Sequence, residues 1–327
     1  MSEFENVAAT ELHTATPGPA GEPGAPGQPK TLETSKARSA TADAWHDLSR
    51  RPLFWIAVLI GLVALVMACF PSLFTSSDPT ARDFCALSRQ NAGASGQAIF
   101  GYDFQGCDVY TQAVYGARNS LVIGFFAALF AGVLAVIAGL TSGFFGGWID
   151  AVVSRVTDIV LGLPLILAGL VIMKRVDNAG GDNTARIIAF VLILGGLGWT
   201  TAARVVRSSV ISAKQQDYVQ AARMLGAGNS RIMWRHILPN ALAPFLVVIT
   251  IALGSFIAAE ASLSFLGVGL KPPAQSWGQQ ISQASAIGRV RTNPIPLIVP
   301  STFLALTVLA FIILGDKIRE AFDPKLR

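Results

Sequence analysis

The sequence predicts an all-α integral membrane protein with about six transmembrane helices. Of its 327 residues, 52% are hydrophobic and only 14% are charged, whereas a soluble domain carries about 25% charged residues. The apolar residues also fall in long uninterrupted runs. A helix needs about 20 mostly apolar residues to cross a hydrocarbon core of about 30 Å, and runs close to that length recur along the chain.

The segment before the first apolar run, residues 1–50, is polar and rich in Pro, Gly, Ala, Ser and Thr. Glycine recurs there every third residue, at Gly18, Gly21, Gly24 and Gly27, but about four triplets are too few to sustain a collagen helix. We therefore predict a disordered cytoplasmic tail. No secretory signal is expected, since no small-residue cleavage site follows the first apolar run.

Each predicted span is an apolar run bounded by polar residues. Pro52 suits the first turn of the first helix, and Pro164 predicts a kink in the third. The predicted spans are residues 52–70, 120–140, 156–173, 187–206, 241–259 and 295–315.

Asp158 and Arg204 are charged residues within the predicted spans, and Glu260 directly follows the fifth span. A charge is costly in hydrocarbon, so each should face protein, water or another charge. Two interpretations stay open. Asp158 and Glu260 line a translocation path, or these residues form structural pairs and lie at the membrane interface.

Lysine and arginine are more frequent on one side of the predicted spans. If the N-terminus lies in the cytoplasm, that side receives the basic residues of the tail, of residues 207–235 and of residues 317–327. The positive-inside rule therefore favours both termini in the cytoplasm. The resulting organisation is a tail (1–50), a first helix (51–72), an extracytoplasmic segment (73–117), a membrane core (118–318) with an inner loop (208–240), and a short tail (319–327).

The inner loop has the composition of two short helices. Tyr218 to Leu225 favours a helix that ends at Gly226, because glycine readily adopts a left-handed conformation. Arg231 to Leu238 is predicted as a second helix, basic on one side and apolar on the other, and Pro239 begins the next span. From composition alone the loop is either a docking element for a partner or an amphipathic connector resting on anionic lipid.

Several motifs follow one another in one order along the chain. The inner loop has Ala221-Ala222, three further residues, Gly226 and a terminal Ile237-Leu238-Pro239. The other segments are YGARNSL at 115–121, GFFGGWID at 143–150, EASLSFLGVG at 260–269, PP at 272–273, SWG at 276–278, and LGD at 314–316 with DPKLR at 323–327. Over roughly residues 50–327 these motifs resemble binding-protein-dependent ABC importer permeases of prokaryotic cell membranes, most closely the C-type permeases of dipeptide and oligopeptide importers. The inner-loop spacing resembles that family's coupling loop.

The resemblance implies a type I ABC importer permease fold and an alternating-access mechanism. The implied partners are a second, related permease in a heterodimer, two ATPase subunits, an extracytoplasmic substrate-binding protein and membrane lipid. The chain has no G-x-x-x-x-G-K-[ST] phosphate loop, so ATP and Mg would bind the partner ATPases and the chain itself would be neither an enzyme nor a cofactor protein. The coupling residues implied are Gln220, Ala221, Ala222, Gly226, Ile237, Leu238 and Pro239.

Gln220 departs from the family pattern, which usually has glutamate at this position. A carboxylate there pairs with a basic group, whereas an amide only hydrogen-bonds. We expect docking that depends more on shape than on charge.

The extracytoplasmic stretch from Phe100 to Val109 resembles the family's L-G-T-D-x-x-G-R-D-V, with Cys107 in the usual arginine position. Cys85 lies in the same segment, on an oxidising side of the membrane. Either Cys85 and Cys107 form a disulfide or both are free thiols.

An ion-coupled secondary carrier and importers of other cargoes are the alternatives to a peptide importer. An ion-coupled secondary carrier would use Asp158 and Glu260 as proton sites, but no obvious inverted repeat supports it. Within the family, nickel complexes, glutathione or haem are alternative cargoes. No histidine or cysteine cluster predicts a metal site, and no dense basic patch predicts nucleic-acid binding.

Glycines at 139, 143 and 147 have the small-xxx-small spacing that permits close helix packing within the bundle.

Overall fold

The computed structural model describes residues 48–79, 81 and 83–322. Most of the predicted tail (1–50) and the final residues 323–327 therefore lie outside the described residues. Within the described ranges the regular secondary structure is helical, apart from one antiparallel bridge between Tyr102 and Asp108. The predicted all-α class is confirmed.

The helices are numbered here in chain order. They are α1 (Pro52–Cys69), α2 (Val109–Phe145), α3 (Gly147–Leu161), α4 (Leu165–Asn178), α5 (Asn183–Gly198), α6 (Thr200–Lys214), α7 (Asp217–Met224), α8 (Asn229–Ile232), α9 (Leu238–Leu263), α10 (Trp277–Ala284), α11 (Ile287–Thr292) and α12 (Ile295–Phe322).

Four helical stretches of the described chain are long and apolar enough to cross a membrane: Pro52–Cys69, Val109–Phe145, Asn229–Val268 and Ile295–Ala321. The bent pairs α3–α4 and α5–α6 bring the number to as many as six if each pair is one span. The prediction of about six spans is thereby confirmed, although two of them are broken.

The sharpest break lies between α3 and α4, which meet at 79°. Pro164 precedes α4 and has no N–H to continue the helical ladder. The predicted kink is thus a full break of the span. The second bend, 44° between α5 and α6, follows Gly195, Gly196 and Gly198, whose low helix propensity weakens the helix there.

Helix α2 is the central element, and it packs against α5, α6 and α9. It is longer than the predicted span 120–140, because Asp108 caps it by accepting hydrogen bonds from the backbone N–H groups of Tyr110 and Thr111. Its 37 residues extend about 55 Å at 1.5 Å per residue. The N-terminal part of α2 therefore projects beyond the hydrocarbon.

Two glycines bring α2 close to α6. A Cβ on Gly139 would lie 2.7 Å from the carbonyl oxygen of Ala203, and one on Gly143 would lie 2.9 Å from that of Arg207. The prediction of close packing within the bundle is confirmed at these two positions. Gly147 is different, because a Cβ there would meet nothing within 4 Å and its φ of +56° serves the turn into α3.

The second loop helix differs from its prediction. Instead of a separate helix at 231–238, α8 continues through a π-helical turn (Met233–Ile237) directly into α9. Pro239, near the start of α9, cannot donate to the carbonyl four residues earlier, and a wider turn accommodates this loss. Loop and span are therefore one continuous helical element.

Candidate functional site

Helix α7 ends in the Schellman motif that its sequence favours. Gly226 has φ +82°, its N–H donates to the carbonyl of Arg223, and the N–H of Ala227 donates to the carbonyl of Ala222. Glycine tolerates this left-handed conformation without a steric penalty. The chain therefore reverses sharply just after Leu225.

The last two residues before this reversal are strongly exposed. Met224 is 87% exposed and Leu225 is 88% exposed, and both are large apolar side chains. We call this pair the apolar tip. Gln220 and Ala221 are also exposed, and Ala222 is partly buried. Exposed apolar side chains of this size mark an interaction site when they cluster.

A buried floor supports the loop. Val219, Ile232 and Ile237 have no exposed surface, and they pack with Val206 and Val210 of α6. At the exposed edge of this buried cluster, the Asn240 amide donates to the Tyr218 hydroxyl at 3.0 Å. Because these contacts join α7, α8 and α9 to the membrane core, the loop is fixed to the bundle.

The residues predicted to couple thus separate into two groups. Gln220, Ala221 and Gly226 are exposed, as is Pro239, and Leu238 is partly buried. Ile237 is fully buried, so in this structure it supports the loop from within and does not present a surface. The prediction omitted the apolar tip, whose sequence signal is two adjacent apolar residues just before the helix-ending glycine.

Gln220 borders a hollow of about 300 Å³ that Lys214, Arg223 and Asp150 also line. Lys214 donates to the carbonyl of Phe144 at 2.6 Å. At position 220 this hollow therefore has an amide, which can accept a hydrogen bond but adds no negative charge beside the two basic side chains.

Two ion pairs join α3 to α6. Arg207 donates to both oxygens of Asp150, at 2.5 and 2.7 Å, which is the strong bidentate geometry. Arg204 donates to Asp158 at 2.7 Å, and their side chains are 51% and 55% exposed. Asp158 and Arg204 also line a cavity of about 290 Å³. We call this strip of charges the charged wall.

Glu260 lies in a different environment from Asp158. It has no exposed surface, and its carboxylate accepts hydrogen bonds from the hydroxyls of Ser264 (2.7 Å), Ser276 (2.9 Å) and Ser120 (3.3 Å). The three hydroxyls take the place of water around the buried carboxyl group. Glu260 therefore joins helices inside the subunit and does not line an open cavity in this structure.

The segment between α1 and α2 contains Cys85 and Cys107, which are joined by a disulfide in this structure. Asp103 organises the same turn, since its side chain accepts from the backbone N–H groups of Gln105 and Cys107. The guanidinium of Arg289 lies 3.6 Å from the ring centre of Phe104, a cation–π contact. These contacts fix the segment against α11.

Comparison with known proteins identifies the type of protein. Residues 113–327 match the family model for the binding-protein-dependent transport system inner membrane component. The dipeptide transport system permease protein DppC of Alkalihalophilus pseudofirmus is 34% identical over 92% of this chain and 95% of its own. The oligopeptide transport system permease protein OppC of Bacillus subtilis is 32% identical over 90% and 92%.

A further relative is the glutathione transport system permease protein GsiD of Pectobacterium atrosepticum, which is 31% identical over 90% of this chain and 95% of its own. Among solved structures, the inward-facing MetNI methionine ABC transporter is similar in fold, with a TM-score of 0.51 and 24% identity, over 65% of this chain and 96% of that one.

Proposed function

Because this chain belongs to the binding-protein-dependent transport system inner membrane component family, we propose that it forms half of the translocation path of an ATP-driven importer of dipeptides or oligopeptides. It crosses the membrane several times and works as a permease. The energy would come from ATP, with Mg, bound to partner ATPases.

The observation that carries the proposal is the apolar tip on a fixed support. Met224 and Leu225 project from the end of α7, while Val219 and Ile237 beneath them are fully buried. A partner groove that closes on the tip would move α7 and α9 together, since packed interiors transmit displacement with little compression. ATP binding would thereby shift the permease between its two states.

The complete importer would contain this chain, a second related permease, two ATPases and an extracytoplasmic binding protein. Gln220, Ala221, Ala222 and Gly226 would contact one ATPase around the tip. Leu238 and Pro239 would border that contact, and Ile237 would support it from inside. The loop would then lie in the cytoplasm, with both chain termini on the same side.

The charged wall is our candidate for the path. Asp158 and Arg204 are half exposed within segments that belong to the membrane, and lipid is a costly neighbour for charges. Water or a solute in the path solvates the two charged side chains at a lower cost in free energy than lipid does. The two opposite charges also suit a zwitterionic peptide, whose termini have opposite charges. Glutathione, the cargo named for one relative, is a peptide derivative and is the alternative; nickel complexes and haem are further ones.

The test is reconstitution of the importer in proteoliposomes that contain ATP and Mg²⁺. We expect uptake of a radiolabelled dipeptide that requires internal ATP and the binding protein, and that persists when ionophores collapse the ion gradients. Uptake that follows a proton gradient without ATP would identify an ion-coupled carrier instead and overturn the proposal.

A further inference from the structure

A long apolar groove runs between α1, α2 and α12 on the surface of the bundle. Its volume is about 760 Å³. Leu62, Leu65 and Phe126 on its walls are about half exposed, so the groove is open at the surface of the subunit. Leu121 and Leu314 contribute to its base.

One end of this groove carries a charge. Arg118 of α2 lines the groove together with Cys69, the last residue of α1. Arg118 is exposed, and among the residues that the structure describes it has no ion pair and no hydrogen bond through its side chain. The other lining residues carry no charge. The groove is therefore cationic at one end and apolar along the rest.

The depth of Arg118 corresponds to the lipid headgroups. Between Arg118 and Asp150 the chain has no charged residue, and the 20 or so residues after Arg118 span about 30 Å as a helix, the thickness of the hydrocarbon core. Tyr115 lies one turn further out, where aromatic residues are frequent at membrane interfaces. Arg118 therefore lies at the boundary of the hydrocarbon core, on the side of the membrane opposite α7.

We propose that this groove binds one anionic glycerophospholipid, with its phosphate on Arg118 and an acyl chain between α1, α2 and α12. A guanidinium binds phosphate through two parallel hydrogen bonds. The distribution of charge favours an amphiphile, because a helix of a partner subunit would need an acidic residue at one depth only and apolar residues elsewhere. From Val58 to Cys69 the groove extends about 16 Å along α1.

This site is separate from the apolar tip and the charged wall, and it does not depend on which solute is carried. A lipid held there would join α1 to the helices that follow it. The groove would accordingly distinguish anionic from zwitterionic lipids of the same chain length.

The experiment is native mass spectrometry of the purified importer after delipidation, titrated with dioleoylphosphatidylglycerol or dioleoylphosphatidylcholine. We expect one phosphatidylglycerol molecule to bind above the background and phosphatidylcholine to bind more weakly. Arg118→Gln should weaken phosphatidylglycerol binding roughly fivefold, the effect of one basic side chain at an anionic membrane surface, and Arg118→Lys should largely retain it. Leu65→Trp, which fills the groove, should weaken both lipids.

The matched control is Arg175→Gln, which removes an exposed charge from α4 outside the groove and should leave lipid binding unchanged. Equal binding of the two lipids, or an Arg118→Gln importer that binds phosphatidylglycerol like the parent, would overturn the proposal. A third result would also overturn the proposal: no lipid binds to the assembled importer, and Arg118→Gln loosens the association of the two permeases. That result would show that a helix of the partner permease occupies the groove.

Discussion

The Ser276 hydroxyl donates a 2.9 Å hydrogen bond to the carboxylate of Glu260, inside the subunit. Ser276 is also the N-cap of α10, where its side chain accepts from the N–H of Gln279. Ser120 of α2 donates to the same carboxylate and accepts from the backbone N–H of Trp277. One buried carboxylate therefore joins α2, α9 and the start of α10.

Removing this carboxylate should loosen the end of the bundle opposite the loop. We expect Glu260→Ala to destabilise the protein by about 3 kcal/mol, because three buried hydroxyls lose their acceptor, and Glu260→Gln to cost less. Thermal unfolding of the purified protein measures the effect. The control is Ser262→Ala, whose exposed hydroxyl bonds only to the carbonyl of Ala258. Equal stability of Glu260→Ala and the parent would contradict the assignment.

The apolar tip should be needed for coupling and not for folding. Leu225→Asp puts a charge on a side chain that is 88% exposed, so we expect normal membrane levels, severely reduced uptake and loss of binding-protein-stimulated ATPase activity. Leu225→Met conserves apolar volume and should behave like the parent. A bulky residue at Ala222 or Gly226 should uncouple transport as well. Full transport by Leu225→Asp would exclude the docking assignment.

A carboxylate at position 220 should strengthen docking. Gln220 is exposed on α7, and a glutamate in its place would add a negative charge that basic groups of the ATPase can pair with. We expect Gln220→Glu to lower the Kd for the ATPase by a few fold, which is the effect of one exposed ion pair. The Kd of this variant should also depend more strongly on salt concentration. An unchanged Kd at low salt would show that shape alone determines docking.

The pair of Asp158 and Arg204 should act as a unit in transport. We expect Asp158→Asn and Arg204→Gln each to reduce uptake, and the double variant to lose less than the sum of both, because the two side chains contact one another. The measurement is initial uptake rate together with ATPase rate. A protein with Asp158→Asn that transports normally would indicate a structural role for the pair and not a path-lining one.

The cysteines of the segment between α1 and α2 provide a fifth prediction. Peptide mapping without reductant should recover Cys85 joined to Cys107. Replacing both by serine should destabilise the segment by about 3 kcal/mol, the chain-entropy value for a loop of this size. Cys69→Ser is the control, since Cys69 is a free, exposed thiol. Free thiols at both positions in the mature protein would end the assignment.

Much of the loop was predictable because its signals are local. The helix-forming composition of Tyr218 to Leu225 and the glycine that follows determine where α7 stops, and spacing within the loop identified the family. Burial was not predictable in the same way. Ile237 and Leu238 are adjacent in sequence and similar in chemistry, but only Ile237 is fully buried, because it packs with α6 residues that lie far earlier in the chain.

The sequence by itself determined the membrane class, the approximate spans and the family, since the length of an apolar run and the spacing of a motif depend only on neighbouring residues. The tertiary structure alone decided that the third span breaks by 79°, that Asp158 pairs with Arg204, that Glu260 is enclosed by three serines, and that Arg118 heads an apolar groove. The break follows the kink predicted at Pro164, and only its angle needed the structure. The other three features depend on side chains from separate helices, and their meeting is set by packing of the whole bundle.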